Sequence, residues 1–303
     1  MDIIRGFQKR AALLLLLAAV GCAANAPVSN KFGPHPDGRY DNHSYLVNPA
    51  RMDLAQVVDS IVTLKTRTIF KAPDGVLVPS EMEGSGVVIG GRFVLTVEHV
   101  VAQGKLLVQT PFGIVEPKVE KVEERTFIEW KGEEYPLNLL YTNHSADVVL
   151  FELPPEVRPP SYPYSLGDSD DLKVGNFIYV IGNPMNLGVN VREGIVSALT
   201  APRQVSSIDA KGENAFMVSN GLIPGDSGTP VLAIRDGRYE LVGLSQGTFI
   251  GNTRLGWVIR INVIRNLLRD AEALPNEGWT RVRKTVPVNV NYGGATPQAE
   301  YLR

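Results

Sequence analysis

From Leu54 to about residue 273 the chain is a succession of short apolar runs punctuated by Gly, Asn and Asp. The clearest are GVVIG (86–90), RFVLTV (92–97), KLLVQ (105–109), DVVLFEL (147–153), NFIYVIG (176–182), AFMVS (215–219), PVLAI (230–234) and YELVGLS (239–245). Runs of this length, rich in β-branched residues, read as strands. Gly90-Gly91 and Asp236-Gly237 lie between such runs and supply the positive φ that tight hairpins need. Strands do not alternate with long helices, which argues against a parallel α/β sheet. One amphipathic helix is predicted, NVIRNLLRDAEAL (262–274), stopped by Pro275. The pattern predicts an all-β molecule of antiparallel strands, one or two closed barrels, and a C-terminal helix.

The ends of the chain read differently. Arg5, Lys9 and Arg10 precede ten apolar residues, Ala11 to Val20, and small residues follow. This is the pattern of a bacterial export signal. As a helix the apolar run spans about 15 Å, half the roughly 30 Å of a bilayer core. Ala19-Val20-Gly21-Cys22 resembles a lipobox, with Cys22 lipidated as the first mature residue. The alternative is cleavage after Ala26, behind Ala24-Asn25-Ala26, giving a soluble secreted protein. The expected organisation is a signal peptide (1–21), a polar tether after the lipidated cysteine (22–50), a two-barrel domain (51–274) and a tail (275–303).

Composition narrows the chemistry. With 44% hydrophobic and 20% charged residues the chain is globular. A net charge of -2, from 30 basic and 32 acidic residues, gives no electrostatic footprint for nucleic acid. Cys22 is the single cysteine. It excludes intrachain disulfides, and it makes thiol catalysis and cysteine-rich metal sites untenable elsewhere in the chain. No metal and no cofactor are expected, and no sequence feature sets an oligomeric state.

The segment Gly225-Asp226-Ser227-Gly228-Thr229-Pro230 presents a serine that is either a nucleophile or part of a turn. A nucleophilic serine needs a base and a group that orients it. The four histidines are His35, His43, His99 and His144, and none follows Ser227. That order excludes an α/β-hydrolase, as does Thr229 in place of the last glycine of G-x-S-x-G. The absence of H-E-x-x-H excludes that class of zinc protease. A histidine base must therefore lie upstream. His35 and His43 fall in the polar tether, and His144 in the loop TNHSAD. His99 follows directly on RFVLTVE, as a base or as a partly buried structural histidine. Asp147 is the candidate orienting acid or a strand cap. Asp168, Asp170 and Asp171 are its rivals, in a stretch that reads as an exposed turn.

GSGVVIGGRFVLTVEHVV (84–101) resembles the segment around the catalytic histidine of trypsin-like serine peptidases. DVVLFEL (147–153) resembles the strand that carries their aspartate. LGDSDDLKVGNFIYVIGNPMNLGVNVREGIVSAL (166–199) and LGWVIRINVIRNLL (255–268) are similar to the HtrA/Deg subgroup. The resemblance implies two antiparallel six-stranded β-barrels of the chymotrypsin type. It implies a His99, Asp147, Ser227 triad, with the N–H groups of Gly225 and Ser227 as oxyanion hole. It further implies a substrate edge at Ser245 and Gly247 and pocket walls at Gly221 and Leu222, without an acidic residue for basic side chains.

The expected activity is a cell-envelope serine endopeptidase acting on polypeptides, anchored through Cys22; the alternative is a non-catalytic scaffold of the same fold. Glu98 is expected to be exposed rather than to face the imidazole. The segments 71–85 and 116–136 exceed the core of the family and read as surface hairpins, with regulatory loops or oligomer contacts as other readings. The tail is too short for the PDZ domain that such relatives usually carry.

Overall fold

The run PVLAI shows why this chain forms strands covered on both faces. Val231 and Ala233 belong to one apolar cluster, Leu232 and Ile234 to another, and all four are fully buried. Successive side chains of a strand point to opposite faces. A continuous apolar run therefore fits a strand with packing on both sides. The run at 177–182 divides the same way, with Ile178 and Val180 in one cluster and Ile181 in the other.

The computed structural model describes residues 37–42, 53–111, 113–202, 213–249, 252–266 and 280–281. The expected signal peptide, Cys22, most of the tether, residues 267–274 of the expected helix and most of the tail lie outside these residues. A short helix, α1 (Leu54–Val58), is capped by the side chain of Asp53, which accepts from the Ala55 N–H.

The strands of the first half are β1 (Ile61–Lys71), β2 (Leu77–Ile89), β3 (Phe93–Val97), β4 (Val108–Thr110), β5 (Gly113–Val115), β6 (Glu120–Trp130), β7 (Glu133–Pro136), β8 (Asn138–Asn143) and β9 (Val148–Glu152). Those of the second are β10 (Ser165–Leu166), β11 (Phe177–Gly182), β12 (Asn190–Ala198), β13 (Ala215–Val218), β14 (Pro230–Arg235), β15 (Arg238–Phe249) and β16 (Asn252–Arg260). A two-residue strand β17 (Thr280–Arg281) pairs back onto β8. Residues 261–266 form a helical segment, α2, one residue ahead of the expected start.

The second sheet runs β10-β15-β14-β11-β12-β13-β16, and the pairing of β15 with β16 closes six of its strands into a barrel. The first runs β17-β8-β9-β3-β2-β1-β6-β7. The all-β, two-sheet architecture is as expected, with one difference. Eight strands, seven from the first half and β17, stand in line in the first sheet as a half-barrel, and no pair among the described strands closes them into a six-stranded ring. The segment 116–136 supplies the hairpin β6–β7, which carries the sheet outward beyond β1. Its edge strand ends on Glu133, Glu134, Tyr135 and Pro136, charges and a proline that discourage further pairing. The segment 71–85 is also a hairpin, the outer ends of β1 and β2.

One apolar cluster fills the inner face of the first sheet and continues into the second. It unites Leu64, Val87, Leu95, Ile128 and Val148 with Ile181, Leu232, Leu244 and Ile259. The other fills the closed barrel, with Val180, Val196, Phe216, Val218 and Val258. Burial of one such aliphatic side chain contributes about 1.5–3 kcal/mol.

Three local expectations change. Residues 37–42 of the expected tether are docked on the second sheet. The Asp41 N–H donates to the Ile234 carbonyl at 2.8 Å, Tyr40 is buried, and Arg235 stacks over its ring at 4.0 Å. A single aromatic anchor does this without any apolar period. In KLLVQ only Val108 and Gln109 are in strand, in the separate hairpin β4–β5, and Leu107 is exposed. Asp147 lies outside β9, one residue before it, at φ 52°.

Candidate active site

The end of β3 delivers His99. Val97 is extended, and Glu98–Val100 then wind into a single 3₁₀ turn. Thr96, fully buried, anchors the approach by donating from Oγ1 to the Ser85 carbonyl at 2.7 Å. The turn is clamped to the start of β9 by two bonds. The Glu98 N–H donates to the Asp147 carbonyl at 3.1 Å, and the His99 N–H to Asp147 Oδ1 at 2.8 Å. Aspartate tolerates the left-handed region better than most residues. Here that conformation turns carbonyl and carboxylate toward the same turn.

The second carboxylate oxygen of Asp147 lies 2.7 Å from His99 Nδ1. It also accepts from Gln246 Nε2 at 2.9 Å. Asp147 is 13% exposed at its side chain and His99 44%. An ionised Asp147 takes a bond from Nδ1–H, which leaves Nε2 as the free, accepting nitrogen of the ring.

Ser227 sits in the turn before β14, and Gln246 links it to the pair just described. The serine hydroxyl donates to the Gln246 carbonyl at 3.2 Å, not to the imidazole. Gln246 is the extra residue of a bulge in β15, between Ser245 opposite Val258 and Gly247 opposite Trp257. A bulge leaves one residue unpaired in the ladder. It thereby frees the Gln246 carbonyl for the serine, while the side chain reaches Asp147. The serine turn is also tied to the first sheet. The Ser85 N–H donates to the Ser227 carbonyl at 3.3 Å, and Ser85 Oγ to the Gly225 carbonyl at 2.9 Å.

Gly225 has φ 96°, and a Cβ there would lie 2.2 Å from the Asn183 carbonyl oxygen. That carbonyl belongs to the IGNP segment (181–184), and the N–H of the next residue, Met185, donates to the Pro224 carbonyl at 2.8 Å. Gly228 has φ 85°, and a Cβ there would lie 2.2 Å from the Ser85 carbonyl oxygen. Both glycines are required by close backbone approach as well as by conformation. Among the described residues, the N–H groups of Gly225 and Ser227 donate to no protein acceptor. Their neighbours are engaged, Asp226 N–H to Ile223, Gly228 N–H to Ser245 and Thr229 N–H to Asp226. Two unused donors flanking a serine are what an oxyanion requires.

Asp226 is a buried carboxylate, 0% exposed. Burial pushes its carboxyl upward, opposed by the Ile223 N–H and by Arg192. Arg192 Nη2 stands 2.5 Å from Oδ2, and its Nη1 donates to the Gly221 carbonyl at 2.9 Å.

The pocket residues are placed less openly than expected. Leu222 is 2% exposed, packed where a Cβ on Gly256 would go. Ser245 is fully buried, and its N–H and carbonyl are engaged by Thr229 and Gly228. It therefore offers no free substrate edge. Gly247 lies under the Trp257 ring, which fills the space of a missing Cβ. Glu98 is neither exposed nor on the His99 imidazole. It is 17% exposed and pairs with His144 Nδ1 at 2.5 Å. The rival acids lie elsewhere: Asp168 accepts from Asn262 at 2.6 Å, Asp171 pairs with Arg235, and Asp170 faces Arg260 at 3.7 Å. The Asn262 bond holds the Asp168 carboxyl below its usual range.

Sequence reading missed Gln246, Ser85 and Arg192. Gln246 lay inside the quoted LSQG without a role. Arg192 acts on a residue 34 positions away, a pairing that no local pattern announces.

The comparisons follow this geometry. Residues 84–244, which contain His99, Asp147 and Ser227, match the family model described as Trypsin-like peptidase domain. The chain is 29% identical over 204 residues to the periplasmic pH-dependent serine endoprotease DegQ of Escherichia coli (strain K12), covering 64% of this chain and 38% of that protein. It is 27% identical over 191 residues to the periplasmic serine endoprotease DegP of the same strain, covering 61% and 34%. The chain thus spans little more than a third of these relatives' length. Among solved structures, the HtrA-type protease AlgW with decapeptide superposes with a TM-score of 0.53 at 18% identity, over 73% of this chain and 66% of that one. That likeness concerns the fold. Because the matched family segment takes in more than half of the sequence and both halves of the site, the chain belongs to the trypsin-like peptidase domain family.

Proposed function

We propose that this chain is a serine endopeptidase of the bacterial cell envelope, hydrolysing peptide bonds through an acyl-enzyme on Ser227. The observation that carries the reading is the convergence of an Asp147-bound imidazole, a serine sharing the Gln246 bridge with it, and two unused N–H donors beside that serine. In the reaction Ser227 Oγ leaves the Gln246 carbonyl by rotation about χ1 and gives its proton to His99 Nε2 as it attacks the scissile carbonyl. Asp147 stabilises the imidazolium, and the N–H groups of Gly225 and Ser227 receive the oxyanion. His99 returns the proton to the leaving amine, and water then releases the acyl group. The DegQ and DegP relatives are named periplasmic serine endoproteases, which supports export. Anchoring through Cys22, with secretion after Ala26 as the alternative, is read from sequence and is decided by the intact mass of the mature protein.

The placement of Ser227 on the Gln246 carbonyl instead of the imidazole favours a second reading, a non-catalytic scaffold of the same fold. A fluorophosphonate probe separates the two. We expect an adduct on Ser227, located by peptide mass spectrometry; no labelling under any condition favours the scaffold or a zymogen-like closed state.

Gly225→Ala is expected to lower kcat by about 10²–10³, the cost of losing one oxyanion donor. The added methyl collides with the Asn183 carbonyl, and the turn must shift to accept it. Steady-state kinetics at saturating peptide check this. Specificity is expected to follow from Gly221, which brings no acidic group to a substrate side chain. Peptide-library digestion should show cleavage after small or medium apolar residues; efficient cleavage after Arg overturns the assignment.

A further inference from the structure

We propose that Arg192 is a positioning residue for the oxyanion turn, acting through the buried Asp226 carboxylate to which it is paired. The inference rests on the peptidase reading above and deepens it.

Asp226 lies between the two residues whose N–H groups are unused, so its orientation sets the peptide planes on both sides. Every polar group of its backbone is held. Its N–H donates to the Ile223 carbonyl at 3.0 Å. Its carbonyl accepts from the Thr229 N–H at 3.1 Å and from Thr229 Oγ1 at 2.6 Å. Its side chain points inward, away from water. Oδ2 accepts from the Ile223 N–H at 2.8 Å and pairs with Arg192 Nη2. Oδ1 lies against Gly182, where a Cβ would approach to 2.2 Å. Gly182 is thus the gap that admits the carboxylate.

A buried carboxylate without a counter-charge is strongly unfavourable. Among the described residues, Arg192 is the cation that pairs with Asp226. It enters from β12 and grips the loop at two points, the Gly221 carbonyl at one end and the Asp226 carboxylate at the other. Without it, the Asp226 carboxyl must either take up a proton, which weakens its hold on the Ile223 N–H, or swing toward water. Either response loosens the turn that places the Gly225 and Ser227 N–H groups. Substrate contacts made in the ground state do not depend on those donors to the same degree, so the loss falls on the transition state.

The test is Arg192→Met, Asp226→Asn and the double variant, each checked for folding by circular dichroism. Kinetics with a peptide substrate and the rate of fluorophosphonate labelling are read out. R192M is expected to lose about 10²-fold in kcat, with KM within about threefold and labelling slowed in parallel. The double variant is expected to recover to within about tenfold of D226N, since no uncompensated charge is then buried. A folded R192M with wild-type kcat, or a loss confined to KM, overturns the inference. If R192M does not fold, the double variant decides alone. A kcat close to that of D226N supports the role through Asp226; a further hundredfold loss overturns it. Wild-type protein that neither turns over nor labels is a failure of the peptidase reading itself, distinct from these outcomes.

Discussion

Ser227→Ala is expected to lower kcat by about 10⁶-fold and to leave the fold almost unchanged. Without Oγ no acyl-enzyme forms, and the imidazole has no proton to accept from the protein. What remains is the contribution of the oxyanion donors and of substrate binding, on the order of 10³–10⁴ over the reaction in water. The structural cost is small because the hydroxyl makes one bond, to the Gln246 carbonyl. Losing such a bond costs about 0.5–1.5 kcal/mol. The turn itself is set by Gly225, Gly228 and the bonds to Ser85, which alanine does not touch. Initial rates on a peptide substrate, with Tm measured in parallel, check both halves. A variant that keeps a tenth of the wild-type rate would remove Ser227 from the chemistry.

Asp147→Asn is expected to lower kcat by about 10⁴-fold with little change in KM. Asparagine tolerates the left-handed backbone of this position, so the clamp on the 3₁₀ turn survives. Its carbonyl oxygen can still accept from the His99 N–H. Its amide then faces both the His99 Nδ1 and Gln246 Nε2, two groups that donate to the carboxylate. A donor opposite Nδ1 forces the proton to Nε2, which then cannot act as the base. Phosphonate labelling should slow in step with turnover, because both need the same nitrogen. Unchanged labelling in D147N assigns the orienting role to another group.

Much of this site was legible in sequence, for reasons that can be named. The scarcity of histidine left few bases to consider, and chain order removed most alternatives. Positive-φ dipeptides marked the hairpins at Gly90-Gly91 and Asp236-Gly237, and both have the expected backbone. The apolar runs located the strands but did not say which face each side chain served, because both faces of the central strands are buried. The eight-strand line of the first sheet was not foreseen, since pairing partners are set by contacts distant in sequence. Gln246 was invisible because its role comes from a bulge, a one-residue offset between two strands. Asp226 carries no local sequence signal of burial. Its burial depends on Gly182 and Arg192, each on another strand.

His99 and Asp147 stand at the ends of β3 and β9, and Ser227 stands before β14 of the closed barrel, with one apolar cluster running between the halves. A docking step between the halves would build no new secondary structure yet bring these three residues together. Regain of activity after dilution from denaturant is expected to trail the far-ultraviolet circular dichroism signal.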